Sequence, residues 1–221
     1  MRILIYGDSN SWGFLDDGSG IRHDKRWPVI MAEALNQHPD LKTRIDIIEE
    51  CLPGRTTAFP DPQEGPEYNG LPFLRPALLS HAPIDWVLIM LGTNDCKIRF
   101  DASAEMIAAQ TAQLARIAKR APVGPGKWRE AASPEVAVIC PAPLGARADD
   151  PKWPRYAEWE GGRAKTLALA DALKAALAGQ DIHLFFAGDA AIPSNKDPIH
   201  LDADSHLALG LYMAKSLSAF L

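Results

Sequence analysis

Apolar residues follow two rhythms along this chain. Short continuous apolar runs alternate with longer stretches in which apolar residues recur every three or four positions. The runs RILIYG (2–7), RIDIIEEC (44–51), DWVLIMLG (85–92), PEVAVICP (134–141) and IHLFFAG (182–188) predict five strands. The third is the clearest, apolar throughout and ended by glycine, as in a sheet covered on both faces. Helical spacing predicts helices over 26–38, 103–121, 160–179 and 204–221, with a short one within 71–83. Alternating elements of this length imply a mainly parallel sheet with helices on both faces. Right-handed crossovers then favour a doubly wound, flavodoxin-like α/β fold with strand order 2-1-3-4-5. No repeat or low-complexity linker interrupts residues 1–221, which read as a single domain.

In such sheets ligands bind at the carboxyl ends of the strands. Polar and turn-forming residues cluster there in this sequence. Asp8 and Ser9 follow the first strand, Gly54 and Arg55 the second, and Thr93, Asn94 and Asp95 the third. Pro141 and Pro143 follow the fourth, and Asp197 and His200 come after the fifth. A serine hydroxyl is a weak nucleophile that needs a base, and the base needs an acceptor on its other nitrogen. Asp197 and His200 are three residues apart, so the carboxylate can reach one imidazole nitrogen and leave the other for Ser9. The Ser9 and Gly54 backbone N–H groups and the Asn94 amide are candidate donors to an oxyanion. Ser9 alone would equally be a helix cap. Asp8 and Asp95 read as structural turn residues, and Asn94–Asp95 alone could be an ordinary turn.

Trp12 and Phe14 are expected as pocket walls that exclude water, and Trp153 and Trp159 as a cover over the pocket or a subunit contact. His206 is core, surface or decoy, with His200 favoured by its nearby acid. His23, His38, His81 and His183 read as surface or loop residues, and none has metal-ligand spacing to another, so no metal or cofactor is expected.

Composition narrows the partners. A chain of 221 residues, 47% hydrophobic, can bury a sizeable core. Its net charge of -5 and short, mixed charge runs lack the basic face that nucleic acid requires. No apolar run approaches the roughly 20 residues of a membrane span, and the N-terminal run is short for a signal peptide, so a cytoplasmic protein is expected. Cys51, Cys96 and Cys140 are isolated and odd in number, which suits small buried hydrophobes.

Taken together, GDSNS, LPGRTT, GTND and DPIH occur in order across nearly the whole chain. They resemble the four blocks of the SGNH (GDSL-type) hydrolases. GDSNSWGF, IMLGTNDCK, PAPL and EGG are further similar to a bacterial arylesterase/acyltransferase subgroup. The resemblance implies Ser9 as nucleophile, His200 as base, Asp197 as its partner, and an oxyanion hole of Ser9, Gly54 and Asn94. It also implies short-chain ester substrates, acyl transfer to alcohols in some members, and a homo-oligomer, an octamer in several. Where the family usually has leucine this chain has Asn10, read as a change at the helix start with little bearing on chemistry. Deacetylation of acetylated carbohydrate, or lysophospholipase or thioesterase activity, are alternatives within the family. A metal-dependent phosphoesterase using Asp8, Asn94, Asp95, Asp197 and His200 is the rival class. It lacks paired histidines. A nucleotide-binding module lacks a phosphate-cradling glycine loop.

Overall fold

The computed structural model describes residues 1–128 and 130–221. Five strands, β1 (Arg2–Gly7), β2 (Asp46–Cys51), β3 (Trp86–Met90), β4 (Glu135–Cys140) and β5 (His183–Phe186), form one sheet in the order β2-β1-β3-β4-β5. Every pairing is parallel; Ile3 sits between Ile47 of β2 and Trp86 of β3. The doubly wound order read from the alternating pattern is therefore the observed one. The helices are α1 (Ser9–Trp12), α2 (Trp27–Asn36), α3 (Gly70–His81), α4 (Ala104–Lys119), α5 (Tyr156–Trp159), α6 (Gly162–Ala176) and α7 (Ala203–Ser218).

Side chains alternate across a strand, so each central strand feeds two cores. Leu4, Tyr6, Val87 and Ile89 face one side and pack with Leu74 and Leu78 of α3, Ile107 and Leu114 of α4, and Leu169 and Leu173 of α6. Ile3, Ile5, Trp86 and Leu88 face the other and pack with Trp27 and Met31 of α2 and Leu209 and Met213 of α7. Helices α2 and α7 approach closely because Gly210 lies between them; a Cβ there would come within 2.6 Å of Ile30. Burying central strands on both sides explains their unbroken apolar runs. The edge strand β2 is only half-buried and begins at Asp46, two residues later than the pattern predicts.

The segment carrying Trp153 and Trp159 contains the short helix α5, and both tryptophans are buried in the α4/α6-side core. Of the two expected over the pocket, Trp159 also lines the cleft that holds Ser9 and His200, and Trp153 does not. Cys96 and Cys140 are buried and Cys51 partly so, all as free thiols. Burial raises each thiol, Cys140 to about 12, which leaves no thiolate for chemistry. No described helix is long and apolar enough to cross a membrane.

Candidate active site at the carboxyl edge of the sheet

Strand β1 ends at Gly7, where the ladder stops and the chain turns at once into α1. Asp8 makes the turn. Its Oδ1 accepts from the Asn10 N–H at 3.0 Å, the N-cap arrangement that starts a helix. Ser9 is thus the first helical residue, held at the sheet edge and 6% exposed. Gly7 is required beside it, since a Cβ there would overlap the Ser11 side chain.

The loop before α7 brings the partners. His200 Nε2 lies 3.0 Å from Ser9 Oγ, and His200 Nδ1 lies 2.6 Å from Asp197 Oδ2. An ionised carboxylate only accepts, so Nδ1 carries the proton and Nε2 presents its lone pair to the Ser9 hydroxyl. Asp197 Oδ1 accepts from the Ile199 N–H at 2.9 Å, which fixes the carboxylate on its own loop. Burial alone would raise the Asp197 carboxyl. The hydrogen bond and charge of His200, with the Ile199 amide, outweigh it and hold the group below the usual range. The Phe14 ring packs on the imidazole with centroids 4.4 Å apart.

Asn10 does more than the sequence suggests. Its Nδ2 donates to the Ile199 carbonyl at 3.1 Å, and its Oδ1 accepts from the Leu201 N–H at 3.2 Å. One amide therefore grips the peptide groups on both sides of His200. Reading this position as a change confined to the helix start is corrected by those two bonds.

Ser9, Phe14, Gly54, Asn94 and His200 line one cleft of about 220 Å³. Gly54 has φ +89, and a Cβ there would press on the Tyr68 ring at 3.0 Å, so both backbone and space call for glycine. Asn94 Nδ2 donates to the Arg55 carbonyl at 3.1 Å and keeps its second N–H. Arg55 in turn donates to the carbonyls of Gly7 and Glu50, tying the ends of β1 and β2 together. Among the described residues, neither the Ser9 nor the Gly54 backbone N–H donates to a protein acceptor. Paired backbone donors are the rule in buried structure, so two free ones at one cleft mark a place for an acceptor.

Trp12 is not among the side chains lining this cleft. The chain after α1 folds back over it, with Arg22 Nε donating to its carbonyl at 2.8 Å and the guanidinium 5.5 Å from its ring centre. His206 is fully buried in the core beside α2, where Nδ1 accepts from the Trp27 N–H at 3.3 Å. Burial lowers it to about 4, and it makes no hydrogen bond to Ser9. His23 lies beside it at 5.7 Å between ring centroids. Beneath the site Asp95 accepts from the Thr57 N–H and hydroxyl, and burial raises both Asp8 and Asp95 to about 6. The polar residues considered as metal ligands are thus engaged separately, and no group of three or more His, Cys, Asp or Glu among the described residues could hold a metal ion.

The family model for GDSL-like lipases and acylhydrolases matches residues 5–208. The chain belongs to this family. Solved structures similar to it include a carbohydrate acetylesterase from Sinorhizobium meliloti (32% identity, TM-score 0.87) and the aryl esterase of M. smegmatis (32% identity, TM-score 0.86). Each alignment covers 100% of this chain and 99% of the other. No curated protein sequence matches the chain. Sequence reasoning missed Asn10 as a link to the His200 loop, and also Lys97, Tyr68 and Arg155, which line the same cleft. The only hint was the lysine that closes IMLGTNDCK.

Proposed function

We propose that this member of the family is a serine esterase for short-chain acyl esters, working through an acyl-enzyme. The observation that carries this is the hydrogen-bonded series Ser9–His200–Asp197 at a cleft with two free backbone donors. Ser9 Oγ attacks the ester carbonyl as its proton passes to His200 Nε2. Asp197 stabilises the resulting imidazolium through Nδ1. The Ser9 and Gly54 N–H groups and the second N–H of Asn94 Nδ2 receive the oxyanion. As the intermediate collapses, the C–O bond to the alcohol breaks and His200 returns the proton to the leaving oxygen. Water then attacks the acyl-serine by the same route, releasing acid and restoring Ser9. An alcohol in place of water gives acyl transfer.

The cleft lies below the roughly 300 Å³ at which ligand pockets usually begin, which favours an acetyl or similarly short acyl group. Acetyl esters of carbohydrates are a second substrate reading, favoured by the similarity to the S. meliloti acetylesterase. Initial rates on 4-nitrophenyl esters from acetate to decanoate, for the native protein and Ser9→Ala, test the proposal. Turnover of short esters that disappears in the variant supports it; equal turnover in both proteins refutes it.

A further inference from the structure

Lys97 follows Asn94 by three residues, and its backbone N–H closes that turn on the Asn94 carbonyl at 3.2 Å. The side chain is only 5% exposed and lines the cleft shared by Ser9 and His200. A cation this deep ordinarily has a close, hydrogen-bonded partner. Lys97 has none. Its nearest carboxylate oxygen, Glu158 Oε1, lies at 3.6 Å, beyond hydrogen-bonding reach. Glu158 is already taken: Oε1 accepts from Arg99 at 3.0 Å and Oε2 from Arg155 at 2.8 Å. Arg99 also bonds Asp61 at 2.6 Å. Asp95, on the same turn, gives its Oδ1 to Thr57 and attracts Lys97 through space without a hydrogen bond to it.

Lys97 therefore shares the single Glu158 carboxylate with Arg99 and Arg155, and among the described residues it is the member of this cluster without a hydrogen-bonded acceptor. Burial first, and then the Arg99 charge, pull its pKa down against the pull of Glu158. A neutral hydroxyl from substrate would satisfy an N–H but leave Lys97 with only a shared, more distant carboxylate opposite its charge. An anion would satisfy both. Arg155 and Glu64 also line the cleft but are exposed, with opposite signs, so solvent screens their contribution.

Resting on the esterase reading above, we infer that Lys97 is the counter-ion for a negatively charged group on the substrate, so that the preferred esters carry a carboxylate on their alcohol or acyl portion. Lys97 is then the residue that sets specificity, separate from the bond-breaking groups.

Two ester pairs test this on the native protein, Lys97→Met and Lys97→Arg. 4-Acetoxybenzoate against its methyl ester places the charge on the leaving group. Mono(4-nitrophenyl) glutarate against 4-nitrophenyl pentanoate, with the uncatalysed rate subtracted, places it on the acyl group. Within each pair the readout is the ratio of kcat/KM, anionic over neutral, so differences in leaving-group acidity cancel between variants. For at least one pair this ratio should fall about tenfold or more in Lys97→Met and stay within about threefold in Lys97→Arg. The pair that responds identifies which portion bears the charge. Ratios unchanged in Lys97→Met for both pairs overturn the inference while leaving the esterase intact. Turnover by Ser9→Ala would instead strike the esterase reading itself. Should Lys97→Met not fold, Lys97→Gln, which keeps a polar tip, carries the same comparison.

Discussion

Replacing Asp197 with asparagine changes one oxygen to an amino group, yet the geometry predicts a severe loss. In the native protein Asp197 Oδ1 accepts from the Ile199 N–H at 2.9 Å and Oδ2 accepts from His200 Nδ1 at 2.6 Å. The Ile199 donor still needs an acceptor, so the new amide must place its carbonyl oxygen there. Its amino group then faces His200 Nδ1 and donates to it. The imidazole is forced into the tautomer with its proton on Nε2, pointing at Ser9. A ring in that state cannot accept the serine proton. The cost is the loss of general-base catalysis together with the loss of a charge opposite the imidazolium, on the order of 10⁴ in kcat. At about 1.36 kcal/mol per tenfold this is about 5 kcal/mol of barrier. The fold should hold, because size and both hydrogen-bonding positions are kept. The assay is kcat on 4-nitrophenyl acetate at neutral pH, with thermal unfolding as the control. A native Tm with less than a tenfold fall in kcat would refute the tautomer argument.

Other substitutions probe the remaining parts of the site. Asn94→Ala removes the side-chain donor to the oxyanion and should lower kcat by roughly 10²–10³ with little change in KM; an unchanged kcat takes Asn94 out of that role. Asn10→Leu leaves the Ile199 carbonyl and Leu201 N–H without their partner and loosens His200, so kcat should fall roughly 10–100-fold while KM holds within about twofold; equal changes in both constants would mean a purely structural role. Asp95→Asn keeps the oxygen that serves Thr57 but cannot ionise. Asp95 titrates at about 6 in the folded protein against an ordinary 3.8, so its contribution to stability is full below pH 3.8 and lost as pH rises through 6. The variant should therefore be more stable than the native protein at pH 8, by up to about 3 kcal/mol, and lose that advantage by pH 4. A Tm difference independent of pH would show that Asp95 does not carry the penalty.

What could be read from the sequence, and what could not, divides along a physical line. Central strands of a doubly wound sheet are buried on both sides, so their positions are written as local apolar runs. Strand order then follows from chirality rather than from any residue. Ser9, Gly54, Asn94, Asp197 and His200 were legible because each follows a strand or sits in a short block, and their convergence follows from sheet topology. Side-chain direction is not local in this sense. Trp12 and Phe14 are two residues apart, yet Phe14 stacks on His200 while Trp12 turns under Arg22. Helix α1 ends at Trp12, Gly13 turns the chain in the left-handed region before Phe14, and Arg22 folds back over Trp12. Trp153 and Trp159 were expected as a pocket cover or a subunit contact; both indoles pack into the core beside α6, and Trp159 alone also reaches the cleft.

Asn10 shows the same limit most sharply, and it bears on how the two halves of the site stay together. Ser9 and His200 are separated by 191 positions and lie on different elements. Their mutual hydrogen bond is a weak means of alignment, because the proposed mechanism requires it to break and reform. Asn10 supplies a link that turnover leaves untouched. It joins α1 to the backbone on both sides of His200, from within the same helical turn as Ser9. Leucine at this position offers no polar contact to that loop, so a chain with leucine must hold its histidine by other means. Here the departure from the usual residue moves part of that task into the serine block itself, and a motif comparison that scores position 10 as a mismatch cannot reveal it.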